Sequence, residues 1–129
     1  MGRQLIHHIK RLDHYAIYVQ DLEASVHFYK EIMGFPEKRR PAFDFPGAWF
    51  DLGKEQELHL IQGDDEVKSG NRQLHFAFEV DDFETVFEIC KEHGLFYEEP
   101  KHRPDGPLQL FIKDNSGYFL EFTLKVFNE

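Results

Sequence analysis

The chain has 129 residues, 41% of them hydrophobic, with 14 Phe, 5 Tyr and 1 Trp, enough to enclose a core and to wall an apolar cavity as well. Its formal net charge of -9 at pH 7 reflects 24 acidic against 15 basic residues, and no stretch gathers enough Lys or Arg to neutralise several phosphates, which excludes nucleic acid as an expected partner. Cys90, the single cysteine, excludes an internal disulfide framework, and no apolar run is long enough to span a bilayer, so a reducing cytoplasm and no membrane partner are expected.

The first predicted element is a strand over 14–19. Tyr15, Ile17 and Val19 form one face, and His14, Ala16 and Tyr18 the other, the alternation of a strand with one face on a core. Asp21 then stands as an N-cap. Leu22, Val26, Tyr29 and Met33 follow the 3.6-residue period of an amphipathic helix, which Gly34 stops. His27 lies beside that stripe and reads as exposed. Three strands are expected next, near 36–40, 48–53 and 57–62, the last two joined through Gly53-Lys54-Glu55-Gln56. Segment 41–47 between them is a loop carrying Phe43 and Phe45.

Residues 63–73 are polar, contain Gly and lack periodicity, and read as a linker. The pattern then begins again. Phe76, Phe78 and Val80 oppose His75, Ala77 and Glu79 on a strand, Asp82 stands as an N-cap, and Phe83, Val86, Phe87 and Cys90 mark a helix ended by Gly94. Cys90 falls on the apolar stripe and reads as a core thiol. Strands are expected near 95–99, 107–113 and 118–124, with a loop over 100–107 and a turn at Asp114-Asn115-Ser116-Gly117.

This is an internal repeat. Residues 14–23 (HYAIYVQDLE) align with 75–84 (HFAFEVDDFE), pairing His14 with His75, Ala16 with Ala77, Val19 with Val80, Asp21 with Asp82 and Glu23 with Glu84. The expected architecture is α+β: two tandem βαβββ repeats, about 10–62 and about 74–125, forming an eight-stranded cup-shaped sheet with helices outside. One shared core is expected, hence one domain over 1–129.

Four residues stand out once the repeat is in place. His14 and His75 open the first strand of each copy, and His59 (in ELHLI) and Glu121 (in FLEFT) occupy its last strand, equivalent after a one-residue slip. Each histidine alone reads as an ordinary polar group. A carboxylate among Tyr118, Phe119, Leu120 and Phe122 is less ordinary, because burying it is costly unless it is paired. Imidazoles with a carboxylate suit divalent transition metals, and the two pairs are expected to converge. Phe43, Phe45, Trp49, Arg39, Arg40 and Gln109 are candidates for a substrate-pocket wall. For the aromatics, plain packing is the alternative, and for the arginines a solvated surface.

Over nearly its whole length the chain resembles the vicinal oxygen chelate superfamily of glyoxalases, bleomycin-resistance proteins and extradiol dioxygenases. The residues that carry the resemblance are DHYAIYVQDLEASVHFYKEIMGF, HFAFEV and QLFIKDNSGYFLEF. It implies one divalent metal (Zn, Ni, Co, Mn or Fe) at His14, His59, His75 and Glu121, a small-molecule substrate chelated through adjacent oxygens, and a homodimer. The implied activity is that of a glyoxalase-like lyase or isomerase, with Glu121 as the candidate catalytic residue and Glu121 or a metal-bound water moving the proton. An extradiol-type dioxygenase and a metal-free small-molecule binding or resistance protein are the alternatives. The chain departs from the glyoxalase pattern in having His59 for a Glu, Tyr18 for a basic residue and Gly63 for a polar one, which argues against glutathione as co-substrate.

Overall fold

The computed structural model describes residues 4–63 and 74–125; the linker expected over 63–73 lies, Gly63 apart, outside the described residues. Among the described residues there are eight strands: β1 (His14–Val19), β2 (Glu37–Lys38), β3 (Gly47–Gly53), β4 (Gln56–Gln62), β5 (His75–Glu79), β6 (Lys101–His102), β7 (Leu108–Lys113) and β8 (Phe119–Leu124). They form two four-stranded sheets, ordered β1-β4-β3-β2 and β5-β8-β7-β6. In each, the opening strand runs parallel to the last, and the last three are antiparallel. These are the two βαβββ modules of the α+β fold. Their sheets hydrogen-bond internally as two separate four-stranded units.

Helix α1 (Leu22–His27) starts at Asp21, whose Oδ1 accepts the Ala24 N–H at 3.0 Å, one of the orphan donors of a first turn. Where the periodicity predicts one helix through Met33, the chain widens at Phe28–Ile32 into a π-helical turn. The wider turn lets the adjacent Phe28 and Tyr29 both be buried, which a 3.6-residue stripe does not favour. Helix α2 (Glu84–His93) ends at Gly94 with φ of 64°, a left-handed conformation that costs glycine little. Asp82 Oδ1 accepts the Thr85 N–H at 2.8 Å, the capping role expected of it.

A continuous strand over 95–99 does not form. Tyr97 makes a single bridge to Ile112, and the edge strand comes later, at Lys101–His102, within the segment expected to be a loop. Pro100 supplies no N–H, so the edge pairs in two short pieces. The β3–β4 connection is the two-residue turn Lys54-Glu55, both at positive φ (52° and 64°), the backbone of a type I′ hairpin. No helix among the described residues is long and apolar enough to cross a membrane.

Ile17 and Val19 of β1 belong to a cluster of buried side chains drawn from both modules, and Phe76 and Phe78 of β5 pack against it. Tyr15 meets Phe76 with ring centroids 5.0 Å apart, and Phe35 meets Phe78 at 5.5 Å. Cys90 is buried, and burial pushes its thiol pKa up, which makes it unreactive. Two polar contacts tie the first helix to the β7–β8 turn of the other module. Tyr29 OH donates to Asp114 Oδ2 at 2.6 Å, and Asn115 Nδ2 donates to Ser25 Oγ at 3.0 Å. Asp114 Oδ1 accepts the Ser116 and Tyr118 N–H groups, closing the turn. Tyr29→Phe therefore leaves a buried carboxylate oxygen short of a donor, and a loss of about 1–3 kcal/mol is expected in urea unfolding. A loss below about 0.5 kcal/mol would show that water replaces the phenol.

Candidate functional site

Strand pairing decides which side chains share a face. In the first sheet, register sets His14 beside Glu57, and Ala16 beside His59, which pairs in turn with Trp49. The His59 ring lies between two others. Trp49 is parallel to it at 4.0 Å with an interplanar angle of 1°, and His14 is stacked at 4.1 Å and 15°. One nitrogen of each imidazole is held by a carboxylate: His14 Nδ1 by Asp13 Oδ2 at 2.7 Å, and His59 Nε2 by Glu57 Oε1 at 2.8 Å. Glu57 also accepts from Lys38. The hydrogen bonds from His59 and Lys38 hold its pKa below the usual carboxylate value despite some burial. Carboxylates placed this way fix the plane and tautomer of an imidazole.

The second sheet repeats the plan with different chemistry. Ala77 pairs with Glu121, and Glu121 with Phe111, so Ala77, Glu121 and Phe111 stand where Ala16, His59 and Trp49 stand in the first. Glu121 is 4% exposed. Its Oε1 lies 2.9 Å from His75 Nε2, and its Oε2 accepts from Thr123 Oγ1 at 2.6 Å. Arg103 Nη1 approaches the same oxygen at 4.0 Å. Burial pushes the Glu121 pKa up, but hydrogen bonds from Thr123 and Gln109 and the charges of His75 and Arg103 outweigh it, so the carboxyl sits below its ordinary value. Phe111 packs edge-on against His75 at 5.2 Å.

The four predicted ligands thus stand in one chain as two pairs, His14 with His59 and His75 with Glu121. Among the described residues no group of three or more His, Cys, Asp or Glu side chains could hold a metal ion. The His75–Glu121 pair by itself fits one edge of a coordination shell. Two donors about 2.0–2.2 Å from one ion, at right angles to tetrahedral angles, stand roughly 3 Å apart, which matches the His75–Glu121 separation. Neutral imidazole and ionised carboxylate are also the donor types such an ion takes.

Of the pocket candidates, Phe43, Phe45, Trp49 and Arg40 are linked through Phe43, which meets each of the other three. Phe43 and Phe45 stack at 5.2 Å, Phe43 meets Trp49 at 6.1 Å, and the Arg40 guanidinium lies 4.9 and 4.8 Å from the two phenylalanine rings. Gln109 joins the Glu121 pair, whereas Arg39 is simply exposed. Tyr18 lies on the same face as His14, and a Cβ added at Gly63 would sit 3.0 Å from its ring. Neither position offers a cation or a polar side-chain terminus beyond one phenol. Asp13, Glu57, Thr123 and Arg103 were not among the sequence-predicted site residues. Glu57 and Thr123 stand two residues from His59 and Glu121, so the two-residue period of a strand could have found them. Arg103 comes from a loop and leaves no such signal.

The family model of the Glyoxalase/Bleomycin resistance protein/Dioxygenase superfamily matches residues 11–122. The chain is 32% identical over 118 residues to a "probable lactoylglutathione lyase" of Synechocystis sp., covering 84% of this chain and 90% of that protein. It is 30% identical over 121 residues to "uncharacterized protein YwbC" of Bacillus subtilis, covering 88% of this chain and 96% of the relative. The crystal structure of a glyoxalase family protein from Enterococcus faecalis superimposes with a TM-score of 0.73 at 27% identity, over 90% of this chain and 98% of that one.

Proposed function

The chain belongs to the Glyoxalase/Bleomycin resistance protein/Dioxygenase superfamily, and from that premise we propose a metal-dependent lyase or isomerase of glyoxalase type. Its substrate is a small carbonyl-derived molecule held through two adjacent oxygens. The observation that carries this reading is the buried Glu121 carboxylate meeting His75 Nε2 at 2.9 Å, with the stacked His14 and His59 at the repeat-equivalent places. His14, His59, His75 and Glu121 would hold one divalent cation. When bound, the cation supplies Lewis-acid polarisation of the two substrate oxygens. Asp13 and Glu57 orient the first two imidazoles, and Thr123 and Gln109 orient the carboxylate. Glu121, the carboxylate of the set, takes a proton from the carbon beside the oxygens and returns it to the neighbouring carbon.

One chain holds two half-sets, so the reading includes a second copy. His14 and His59 of one protomer meet His75 and Glu121 of its partner across a twofold axis, giving two equivalent centres per dimer. Elemental analysis of protein purified without added metal tests the core of the proposal. About one divalent ion per chain is expected, and a metal-free protein that takes up none on titration would overturn it. Oxygen uptake with ferrous iron and a catechol would move the reading to ring cleavage. A metal-free binding role is favoured by one observation, that among the described residues no group of three or more His, Cys, Asp or Glu side chains could hold a metal ion within one chain. Metal uptake decides against it.

Tyr18 and Gly63 put a phenol and no side chain at the two places that would hold glutathione, and the nearby Lys38 is already engaged by Glu57. The hemithioacetal of glutathione and methylglyoxal is accordingly expected to turn over poorly, even though relatives carry the lactoylglutathione lyase name. Thioester formation with kcat/KM on the order of 10⁶ M⁻¹s⁻¹ or above would restore glutathione as co-substrate.

A further inference from the structure

Phe43 and Phe45 are 47% and 38% exposed, yet their arrangement is not that of loose loop side chains. The two rings stack at 5.2 Å with 21° between their planes. The Arg40 guanidinium lies within 5 Å of both ring centroids, and its Nη2 donates to the Phe45 carbonyl at 2.8 Å. Arg40 itself is seated against Gly47, where a Cβ would come within 3.0 Å of its Nε and 2.4 Å of the Leu60 carbonyl oxygen. A glycine here gives the arginine room to brace both rings at once. From this braced pair the aromatic surface continues without a break through Trp49 to His59 and His14.

We infer that the Arg40-braced Phe43, Phe45 and Trp49 form a preassembled subsite for a flat aromatic ring, so that the substrate class is aromatic compounds bearing the two chelating oxygens next to the ring. The inference rests on the proposed site at His59. Aromatic surface already fixed in position loses little conformational freedom when a ring lands on it, and ring–ring contact adds to the gain from burial. Trp49 meets Phe43 at 6.1 Å and His59 at 4.0 Å, so a ring resting on this platform stands one side chain away from the proposed site. The Arg40 guanidinium is already engaged by the two phenylalanine rings and the Phe45 carbonyl, so the platform suits a neutral ring.

Two probe pairs test this on the full-length protein. In metal-free protein, 2-naphthol and decahydro-2-naphthol share a skeleton and a single hydroxyl and cannot chelate, so saturation-transfer NMR reads the subsite alone. The aromatic member is expected to bind roughly 3- to 10-fold more tightly, and Phe43→Ala/Phe45→Ala to remove that preference with the circular dichroism unchanged. In metal-loaded protein, mandelate is expected to bind more tightly than hexahydromandelate by a similar factor, with lactate affinity and metal content unaffected in the double variant. Equal binding within the naphthol pair, or a preference that survives the double variant, overturns the subsite whatever the metal result. A preference present with naphthol in a protein that takes up no metal supports the subsite and removes only the catalytic reading. Retention by Arg40→Met of the full aromatic preference would show that the brace is not needed and overturn that part.

Discussion

A His14→Ala/His59→Ala chain and a His75→Ala/Glu121→Ala chain are each expected to lose stoichiometric metal, and a refolded one-to-one mixture is expected to regain about a quarter of the wild-type content. Each pair lies wholly within one sheet, so each double variant removes one half-set and leaves the other sheet untouched. If centres form across a twofold axis, the first variant still carries His75 and Glu121 and the second still carries His14 and His59. Half the dimers in the mixture are hybrids, and each hybrid has one whole centre of two, hence about a quarter. A centre built within one chain gives no recovery at all, because neither chain has both halves. Removing two of four donors should weaken binding by well over the 10- to 100-fold that loss of an outer-shell partner alone produces. Full metal content in either double variant would remove these residues from the site.

Glu121→Gln is expected to lower proton transfer by roughly 10²–10⁴, the usual scale of general acid–base catalysis. The probe is 2-hydroxyacetophenone, whose adjacent oxygens flank an exchangeable C–H, followed by NMR as deuterium enters from solvent. The amide keeps the shape and one oxygen acceptor for Thr123, whose hydroxyl donates to Glu121 Oε2 at 2.6 Å, but it removes the negative charge that His75 and Arg103 face. Exchange near the wild-type rate with metal still bound would show that another group carries the proton. Metal content measured on the same sample separates a lost ligand from a lost base.

The repeat was plain in the residues, since His14/His75, Ala16/Ala77 and Asp21/Asp82 recur in order, and two-residue and 3.6-residue periods then read off the main elements. Those signals are local, and that is why they survive in one dimension. Asp21 and Asp82 both cap as expected, because a cap needs only its own next three residues. The π-helical turn at Phe28–Ile32 and the displaced edge strand at Lys101–His102 were not legible. Both answer to partners far away in the chain, Asp114 for Tyr29 and the β7 edge for residues 97–102. At the site, the sequence by itself determined which donor types stand at equivalent positions. Only the tertiary structure decided that Glu57 and Asp13 hold the imidazoles, that a loop arginine faces Glu121, and that Trp49 lies flat on His59. Register and loop path set those contacts, and both are fixed by packing summed over the whole chain rather than by any short stretch of it.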